Sequence, residues 1–232
     1  MKISFTDFER SLSILLEKIA HAAKSVHRDP SEIKLLAVTK YLPIEMLAWM
    51  QRPEIFGVGE NRVQSALEKG ASLTSPLRWE LIGHLQTNKA RDAVRHFARI
   101  QSVDSPKLLA ALQSEAVKQN RTHVPVLLQI NTANDPAKFG ADTSDAPALL
   151  EAALTCSNLA VEGLMTLGAL ETDAAETART FASLRELRDR LEEQFGIQLP
   201  ELSMGMSGDF ETAIREGSTL VRIGRGFDEG NA

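Results

Sequence analysis

The chain has 232 residues, of which 43% are hydrophobic and 25% are charged, and this balance excludes an intrinsically disordered protein. Its formal net charge of −5, without a dense block of Lys and Arg, argues against nucleic acid as a partner. The single cysteine, Cys156, excludes an intrachain disulfide and a multi-cysteine metal cluster, so we expect no metal and a reducing compartment, the cytoplasm.

The first predicted element is an amphipathic helix from Phe5 to Val26 that precedes any strand. Charged residues interrupt the apolar run that a signal peptide needs, and no small-residue cleavage site follows. Nowhere does an apolar run reach the roughly 20 residues that a membrane helix requires. We therefore expect no membrane partner.

After this helix, short apolar runs rich in β-branched residues alternate with longer segments of helical spacing. The predicted strands are Ile33–Lys40, Ile55–Glu60, Trp79–His84, Arg99–Val103, 125–131, 161–167, 201–206 and 220–224. The predicted helices between them are Pro43–Arg52, Asn61–Leu73, Thr87–Phe97, Pro106–Gln119, Ala146–Cys156, Asp173–Phe195 and Asp209–Glu216. This regular alternation favours one parallel (β/α)8 TIM barrel over an open sheet. We expect a single domain over residues 1–232, and a monomer.

In such barrels, functional residues follow the carboxyl ends of the strands and meet around one mouth. The rule selects the residues that end the predicted strands: Lys40, Glu60, Asn61, His84, Asn131, Met165, Thr166, Ser207, Arg222 and Gly224.

Lys40 ends the apolar run LLAVTK, where an ammonium group has to be either desolvated or paired. Desolvation increases the fraction of neutral amine, which is the nucleophile that forms Schiff bases with carbonyl compounds. A lysine that extends into solvent just past the strand fits the same residues. The pattern around this lysine leaves both interpretations open.

The loops after the seventh and eighth predicted strands are suited to phosphate, which β/α barrels often bind at this position. Ser207 and Gly208 open a predicted helix, whose free N–H groups and dipole favour an anion. Gly224 and Gly226 allow the backbone to approach a ligand closely. Two such loops at the expected strands indicate a phosphate-bearing ligand.

Two polar features near the mouth each allow two interpretations. Arg222 lies in the apolar eighth strand, so it either points inward to a ligand or points outward to an acidic residue on a covering helix. The segment GHLQTNK, which contains His84, is too polar for a core. It either contacts a ligand at the rim or serves as a loop and helix cap.

The chain resembles the pyridoxal phosphate homeostasis protein family in six segments that together span nearly its whole length. They are LLAVTKYLP around Lys40, FGVGENRVQ from Phe56, WELIGHLQTNK from Trp79, LMTLGA from Leu164, SMGMSGDFETAI from Ser203 and GSTLVRIG from Gly217. The resemblance implies a barrel like the N-terminal domain of alanine racemase and a role in vitamin B6 homeostasis. It also implies pyridoxal 5'-phosphate (PLP) as the cofactor and PLP-dependent apoenzymes as the partners served.

The resemblance further implies roles for individual residues: a Schiff base between PLP and Lys40, and Asn61 beside the cofactor. The phosphate would be held by Ser207, Gly224 and Arg225, and the pyridine nitrogen would face Arg222. Together with the other residues at the strand ends, the expected cofactor site is Lys40, Asn61, His84, Met165, Ser207, Gly208, Arg222, Gly224 and Arg225.

Two positions depart from the family pattern. Gly208 stands where the family commonly has a second acidic residue, and Arg225 stands where it usually has a small or hydroxyl residue. The backbone N–H of Arg225 can still bind phosphate, and its cation can add an ion pair. We therefore expect the phosphate contacts to differ in detail from those of the family.

Members of this family are regarded as cofactor carriers or regulators, with no established catalytic activity. The rivals are a fold-type III PLP enzyme, such as an amino-acid racemase or decarboxylase, and a Schiff-base aldolase without cofactor. Racemisation needs a base on each side of the cofactor. Alanine racemases take one from a tyrosine in a second domain, whereas the only tyrosine here, Tyr41, follows Lys40 and points to the opposite face. We therefore expect no catalytic residue, although His84 leaves a weak side activity possible.

Overall fold

The computed structural model of the chain describes residues 3–40, 42–73, 76–133, 135–168 and 173–227. Eight strands in this described part form a closed parallel barrel in chain order, and β1 pairs with β8. They are β1 (Lys34–Val38), β2 (Gly57–Glu60), β3 (Trp79–Leu81), β4 (Arg99–Val103), β5 (Val124–Gln129), β6 (Leu159–Met165), β7 (Glu201–Met206) and β8 (Leu220–Ile223). This confirms the (β/α)8 TIM barrel that the sequence predicts.

Helices cover the outside of the barrel. They are α1 (Phe5–Ser25), α2 (Val63–Gly70), α3 (Ala90–His96), α4 (Pro106–Lys118), α5 (Ala146–Leu154), α6 (Ala174–Phe195) and α7 (Phe210–Arg215). The first crossover, predicted as an α-helix over Pro43–Arg52, is instead a 3-10 helix over Ile44–Met50. Leu47 and Met50, three residues apart, are both buried, which suits the three-residue turn of a 3-10 helix. No helix in the described ranges is long and apolar enough to cross a bilayer.

No α-helix follows β8 in the described ranges. The N-terminal helix α1 covers the outside of the barrel where β8 pairs with β1. It packs on α7, and the ring of Phe8 stacks on Phe227, with 5.6 Å between the ring centroids. After α1, the guanidinium of Arg28 donates to the carbonyl oxygens of Ile214 and Ser218 at 3.0 and 2.8 Å. The barrel is therefore sealed on this side by the beginning of the chain.

Alternation along each strand separates the inside of the barrel from the outside. In β1, Leu35 and Ala37 join the hydrophobic cluster beneath the helices, whereas Leu36 is buried outside that cluster. A Cβ atom added to Gly59 of β2 would lie 3.0 Å from Leu36 Cδ2, so Leu36 points into the barrel. Because side chains alternate along a strand, Val38 shares the inner face with Leu36.

A buried ion-pair network closes the mouth at the amino ends of the strands. Arg99 is 1% exposed and donates to Glu80 at 3.0 Å, to Glu162 at 3.1 Å and to Glu201 at 2.6 Å. Lys34 donates to the same Glu201 carboxylate at 2.9 Å. This end of the barrel is occupied by paired charges, so the opposite mouth is the place for a ligand.

Candidate functional site

The candidate site lies at the carboxyl ends of the strands, where Lys40 follows the end of β1. The first strand ends at Val38, two residues before the predicted end, and the Lys40 side chain is exposed at the rim. Of the two interpretations that the sequence left open, the structure agrees with the lysine that extends into solvent, because Lys40 lies beyond the end of β1. Lys40 nevertheless follows the carboxyl end of β1 by only two residues, so it lies at the open mouth.

Arg222 points inward, which decides between the two interpretations that the sequence allowed. Its side chain is 2% exposed, its Nη1 donates to Ser203 Oγ at 2.7 Å, and its Nη2 donates to the Thr166 carbonyl at 2.7 Å. Met165 is buried and pairs in register with Ser203. A guanidinium has five donors, more than these two acceptors use. Arg222 and Met165 therefore lie together beneath the mouth.

Burial lowers the pKa of Arg222 to about 10, although the charge of Asp209 opposes this effect. The guanidinium therefore stays cationic at neutral pH. Burial also raises the pKa of Asp209, against the hydrogen bond from the Met206 N–H and the charges of Arg222 and Lys138. The Asp209 carboxylate therefore interacts electrostatically with the cations of Arg222 and Lys138 beneath the mouth.

Ser207 joins the two loops that were predicted to bind phosphate. Its Oγ accepts hydrogen bonds from the backbone N–H groups of Gly224 and Gly226, both at 3.3 Å. A Cβ atom added to Gly224 would lie 3.4 Å from the Val38 carbonyl oxygen, so this turn adjoins the end of β1. The loops after β7 and β8 therefore meet beside the segment that leads to Lys40.

The helix after β7 begins one residue later than its predicted start at Asp209. Helix α7 begins at Phe210, so Ser207 and Gly208 lie in the turn before it and do not form its first residues. Asp209 occupies the N-cap, and its Oδ1 accepts from the Met206 N–H at 2.5 Å. Gly208 is exposed and Arg225 is exposed on the neighbouring loop. Donors for an anion here are thus the hydroxyl and the loop N–H groups.

Asn61 and His84 lie on the other side of Lys40, at the ends of β2 and β3. A Cβ atom at Gly83 would lie 2.2 Å from the Asn61 carbonyl oxygen, so glycine is required for these two loops to approach so closely. The His84 ring stacks on Phe139, with centroids 3.9 Å apart and planes 13° from parallel. Its Nδ1 lies 3.5 Å from Asp104 Oδ2. His84 is therefore a member of the rim.

The loop between β5 and α5 contributes residues that the sequence did not single out. Phe139 from this loop is exposed and covers His84, and Lys138 is held by its Nζ, which donates to the Gly168 carbonyl at 2.5 Å. A Cβ atom at Gly168 would lie 2.5 Å from Asp209 Oδ2, so Lys138 and Asp209 approach the same glycine. The loops after β5, β6 and β7 are thereby linked at the mouth.

A chain of hydrogen bonds runs from Arg222 down the interior of the barrel. Ser203 Oγ, which accepts from Arg222, donates to Gln101 Oε1 at 2.6 Å. Gln101 Nε2 donates to Glu80 Oε2 at 2.5 Å, and Glu80 also accepts from Arg99. All donors point away from Arg222 toward a carboxylate, an arrangement in which the bonds strengthen one another. The candidate site is therefore connected to the network at the opposite mouth.

Comparisons with known proteins agree with the barrel fold. The family model for the alanine racemase N-terminal domain matches residues 14–227. Proteins named pyridoxal phosphate homeostasis protein include one from Aquifex aeolicus, 38% identical over 214 residues, which cover 92% of this chain and 93% of the relative. Another, from Pseudomonas aeruginosa, is 40% identical over 208 residues, covering 89% of this chain and 88% of the relative. The solved structure of PipY from Synechococcus elongatus with PLP bound superposes with a TM-score of 0.78 at 36% identity, covering 90% of this chain and 99% of that one.

Proposed function

The chain belongs to the pyridoxal phosphate homeostasis protein family, and on that premise we propose that residues 1–232 form one domain that binds PLP covalently at Lys40. The observation that carries this proposal is the junction at Ser207, whose hydroxyl gathers the N–H groups of Gly224 and Gly226. This junction provides several hydrogen-bond donors beside the end of β1, which leads to Lys40. The donors at Ser207 suit the phosphate of PLP, and the Lys40 amine on the same rim suits its aldehyde.

The phosphate end would be held by Ser207, the N–H groups of Gly224 and Gly226, and the cation of Arg225. The Ser207 hydroxyl can rotate to donate to a phosphate oxygen, which leaves both glycine N–H groups available to the same anion. Gly208 has no atoms within 4 Å of a Cβ built on it, so the turn is open where the ligand would enter. These residues fit the anionic end of PLP.

Arg222 would face the pyridine nitrogen, with Asn61, His84 and Met165 completing the expected site. When bound, PLP supplies an electron sink whose strength depends on protonation of this nitrogen. Arg222 is cationic at neutral pH and is fixed by Ser203 and Thr166. It can donate a hydrogen bond to the nitrogen but disfavours a proton on it. A weaker electron sink argues against broad PLP catalysis and supports a carrier in PLP homeostasis. We further propose that the protein acts as a monomer and serves PLP-dependent apoenzymes.

We predict that the PLP-loaded protein does not racemise amino acids, because two-base chemistry needs a second base that faces the first. The single tyrosine, Tyr41, lies outside the described residues. Incubation with single enantiomers of common amino acids, followed by chiral chromatography, measures this. Turnover near the usual enzyme median of about 10 per second would contradict the carrier proposal.

The proposed function is tested by the visible absorption spectrum of the purified protein, before and after borohydride reduction. We expect a yellow protein whose absorbance is lost on reduction, with the reduced PLP found by peptide mapping on Lys40. A Schiff-base aldolase would instead be colourless and would be trapped by borohydride with a keto sugar. A colourless protein that takes up no added PLP would contradict the proposal.

We predict that Arg225→Ala weakens retention of PLP by roughly 1 to 3 kcal/mol, the range for loss of a charge-assisted hydrogen bond. Equilibrium dialysis of the variant and the wild type measures the difference. Arg215→Ala is the matched control, because Arg215 is exposed and pairs with Glu211 on α7. Equal affinity in all three proteins would mean that the Arg225 side chain does not reach the phosphate.

A further inference from the structure

Three side chains meet on the outer face of the barrel wall, directly behind Lys40. Glu60 at the end of β2 is 1% exposed, and its Oε1 accepts from Thr39 Oγ1 at 2.7 Å. Lys69 of α2 donates from Nζ to the same oxygen and to the Thr39 carbonyl, both at 2.5 Å. The residue that precedes Lys40 is thus held through both its side chain and its backbone.

This cluster of Thr39, Glu60 and Lys69 lies on the opposite side of the wall from the candidate site. The Thr39 side chain continues the outward direction of Leu35 and Ala37, since its Oγ1 donates to Glu60, which Lys69 of α2 contacts from outside the barrel. The backbone N–H of Thr39 donates to the Gly59 carbonyl at 3.1 Å, which extends the pairing of β1 and β2 beyond the end of β1. Thr39, directly before Lys40, is therefore bonded to β2 through both its backbone and its side chain.

We propose that Lys69 is a positioning residue for Lys40, an inference that rests on the proposed function. A lysine at an exposed rim has four rotatable side-chain bonds, so the position of its amine depends on how firmly its backbone is held. Lys69 and Glu60 anchor that backbone from the outer side of the barrel wall. A held backbone restricts the positions that the Lys40 amine can adopt, so the amine reaches the PLP aldehyde sooner and the Schiff base forms faster.

The step affected is formation of the Schiff base. The neutral amine of Lys40 attacks the aldehyde carbon, a C=N bond forms, and the aldehyde oxygen leaves as water with the two amine protons. Lys69 takes no part in these bond changes. It is expected to alter how quickly Lys40 reaches the carbon, and to leave the contacts of the phosphate and the ring unchanged.

Lys69→Met removes the ammonium group and keeps most of the side-chain length. Stopped-flow mixing of the apoprotein with PLP follows the Schiff-base absorbance, and pyridoxine 5'-phosphate, which lacks the aldehyde, reports non-covalent binding alone. We expect the rate of Schiff-base formation to fall by roughly 10- to 100-fold, the scale for a misplaced reacting group. Affinity for pyridoxine 5'-phosphate should stay within about 2-fold of the wild type.

Lys118→Met is the matched control, because Lys118 is an exposed lysine that pairs with Glu115 on α4. Glu60→Gln gives a second test if Lys69→Met does not fold, and it should slow the same step. If Lys69 and Glu60 act as one anchor, the double variant should be no slower than the slower single variant.

Two results would overturn the inference. The first is a wild-type rate in Lys69→Met, and the second is an equal loss of affinity for PLP and pyridoxine 5'-phosphate, which indicates a general structural role. A wild-type protein that forms no Schiff-base absorbance contradicts the proposed function itself, so the two failures are distinguishable.

Discussion

Lys40→Ala is expected to abolish covalent binding of PLP and leave a weaker, non-covalent complex. The variant lacks the amine but keeps the junction of Ser207 with Gly224 and Gly226, and it keeps buried Arg222. The wild type should bind PLP more tightly than pyridoxine 5'-phosphate, because only PLP can form the Schiff base. The variant should bind the two compounds equally well, as measured by equilibrium titration.

Borohydride reduction gives the second measurement for Lys40→Ala, with all trapped PLP expected to disappear. Lys107→Ala is the control, since Lys107 is an exposed lysine in the first turn of α4. Trapping of PLP on another lysine, at the wild-type level, would show that a different amine is the acceptor. The assignment of Lys40 would then be wrong even though PLP binding stands.

Arg99→Leu should lower the free energy of unfolding by about 3 to 5 kcal/mol, the range for removal of one partner from a buried ion pair. The substitution leaves Glu80 and Glu201 buried without the cation that both contact. Urea unfolding at neutral pH measures the change. Lys118→Leu is the control, with an expected loss of about 0 to 1 kcal/mol for an exposed pair. A loss below about 1 kcal/mol in Arg99→Leu would mean that the two carboxylates find other partners.

The pH dependence of this difference follows from the pKa of Glu201. Burial alone would raise this pKa, but the charge of Arg99 and hydrogen bonds from Thr219, Lys34 and Arg99 outweigh burial and lower it from the ordinary value of 4.5. A lowered pKa stabilises the fold above the unfolded-state value, and the contribution is lost as the pH falls through the folded-state value. The gap between wild type and Arg99→Leu should therefore be largest above about pH 4.5 and narrow as the pH falls below that value.

The fold could be predicted in detail because each strand and helix has its own pattern. The predicted bounds of the strands over Arg99–Val103 and Glu201–Met206 agree with β4 and β7. The helix predicted over Asp173–Phe195 ends at Phe195 as α6 does, and Gly196 after it has a φ of 64°. The prediction of an α-helix in the first crossover was wrong, because a 3-10 helix and an α-helix have nearly the same apolar spacing over seven residues.

The site could be predicted only where a residue is itself the end of a strand. Lys69 lies in the middle of the chain's second crossover, and its bond to the Thr39 carbonyl spans 30 residues. No local pattern encodes such a bond. Gln101 and Ser203 did carry a signal, because polar residues at inward positions of buried strands need partners. Their partners, however, lie on other strands and become known only once the barrel closes.

The residues around Lys40 also could not decide between a desolvated and an exposed lysine. The apolar run LLAVTK suggests a strand that continues to the lysine, but β1 pairs with β8 only as far as Ala37 and Ile223. The distance between the end of a strand and the rim depends on the register of both neighbours. The residues of one strand alone do not contain that information.

The bonds that Ser207 accepts from Gly224 and Gly226 bear on how readily this protein gives up what it binds. At 3.3 Å they are long, and in the proposed site an incoming phosphate would replace these bonds with its own instead of filling unsatisfied donors. The net gain is the difference between two sets of bonds, so it is smaller than for donors that would otherwise be unpaired. When the phosphate leaves, the hydrogen bonds from Gly224 and Gly226 to Ser207 would form again and recover part of the lost energy. A phosphate site of this kind would favour release of bound PLP over permanent binding.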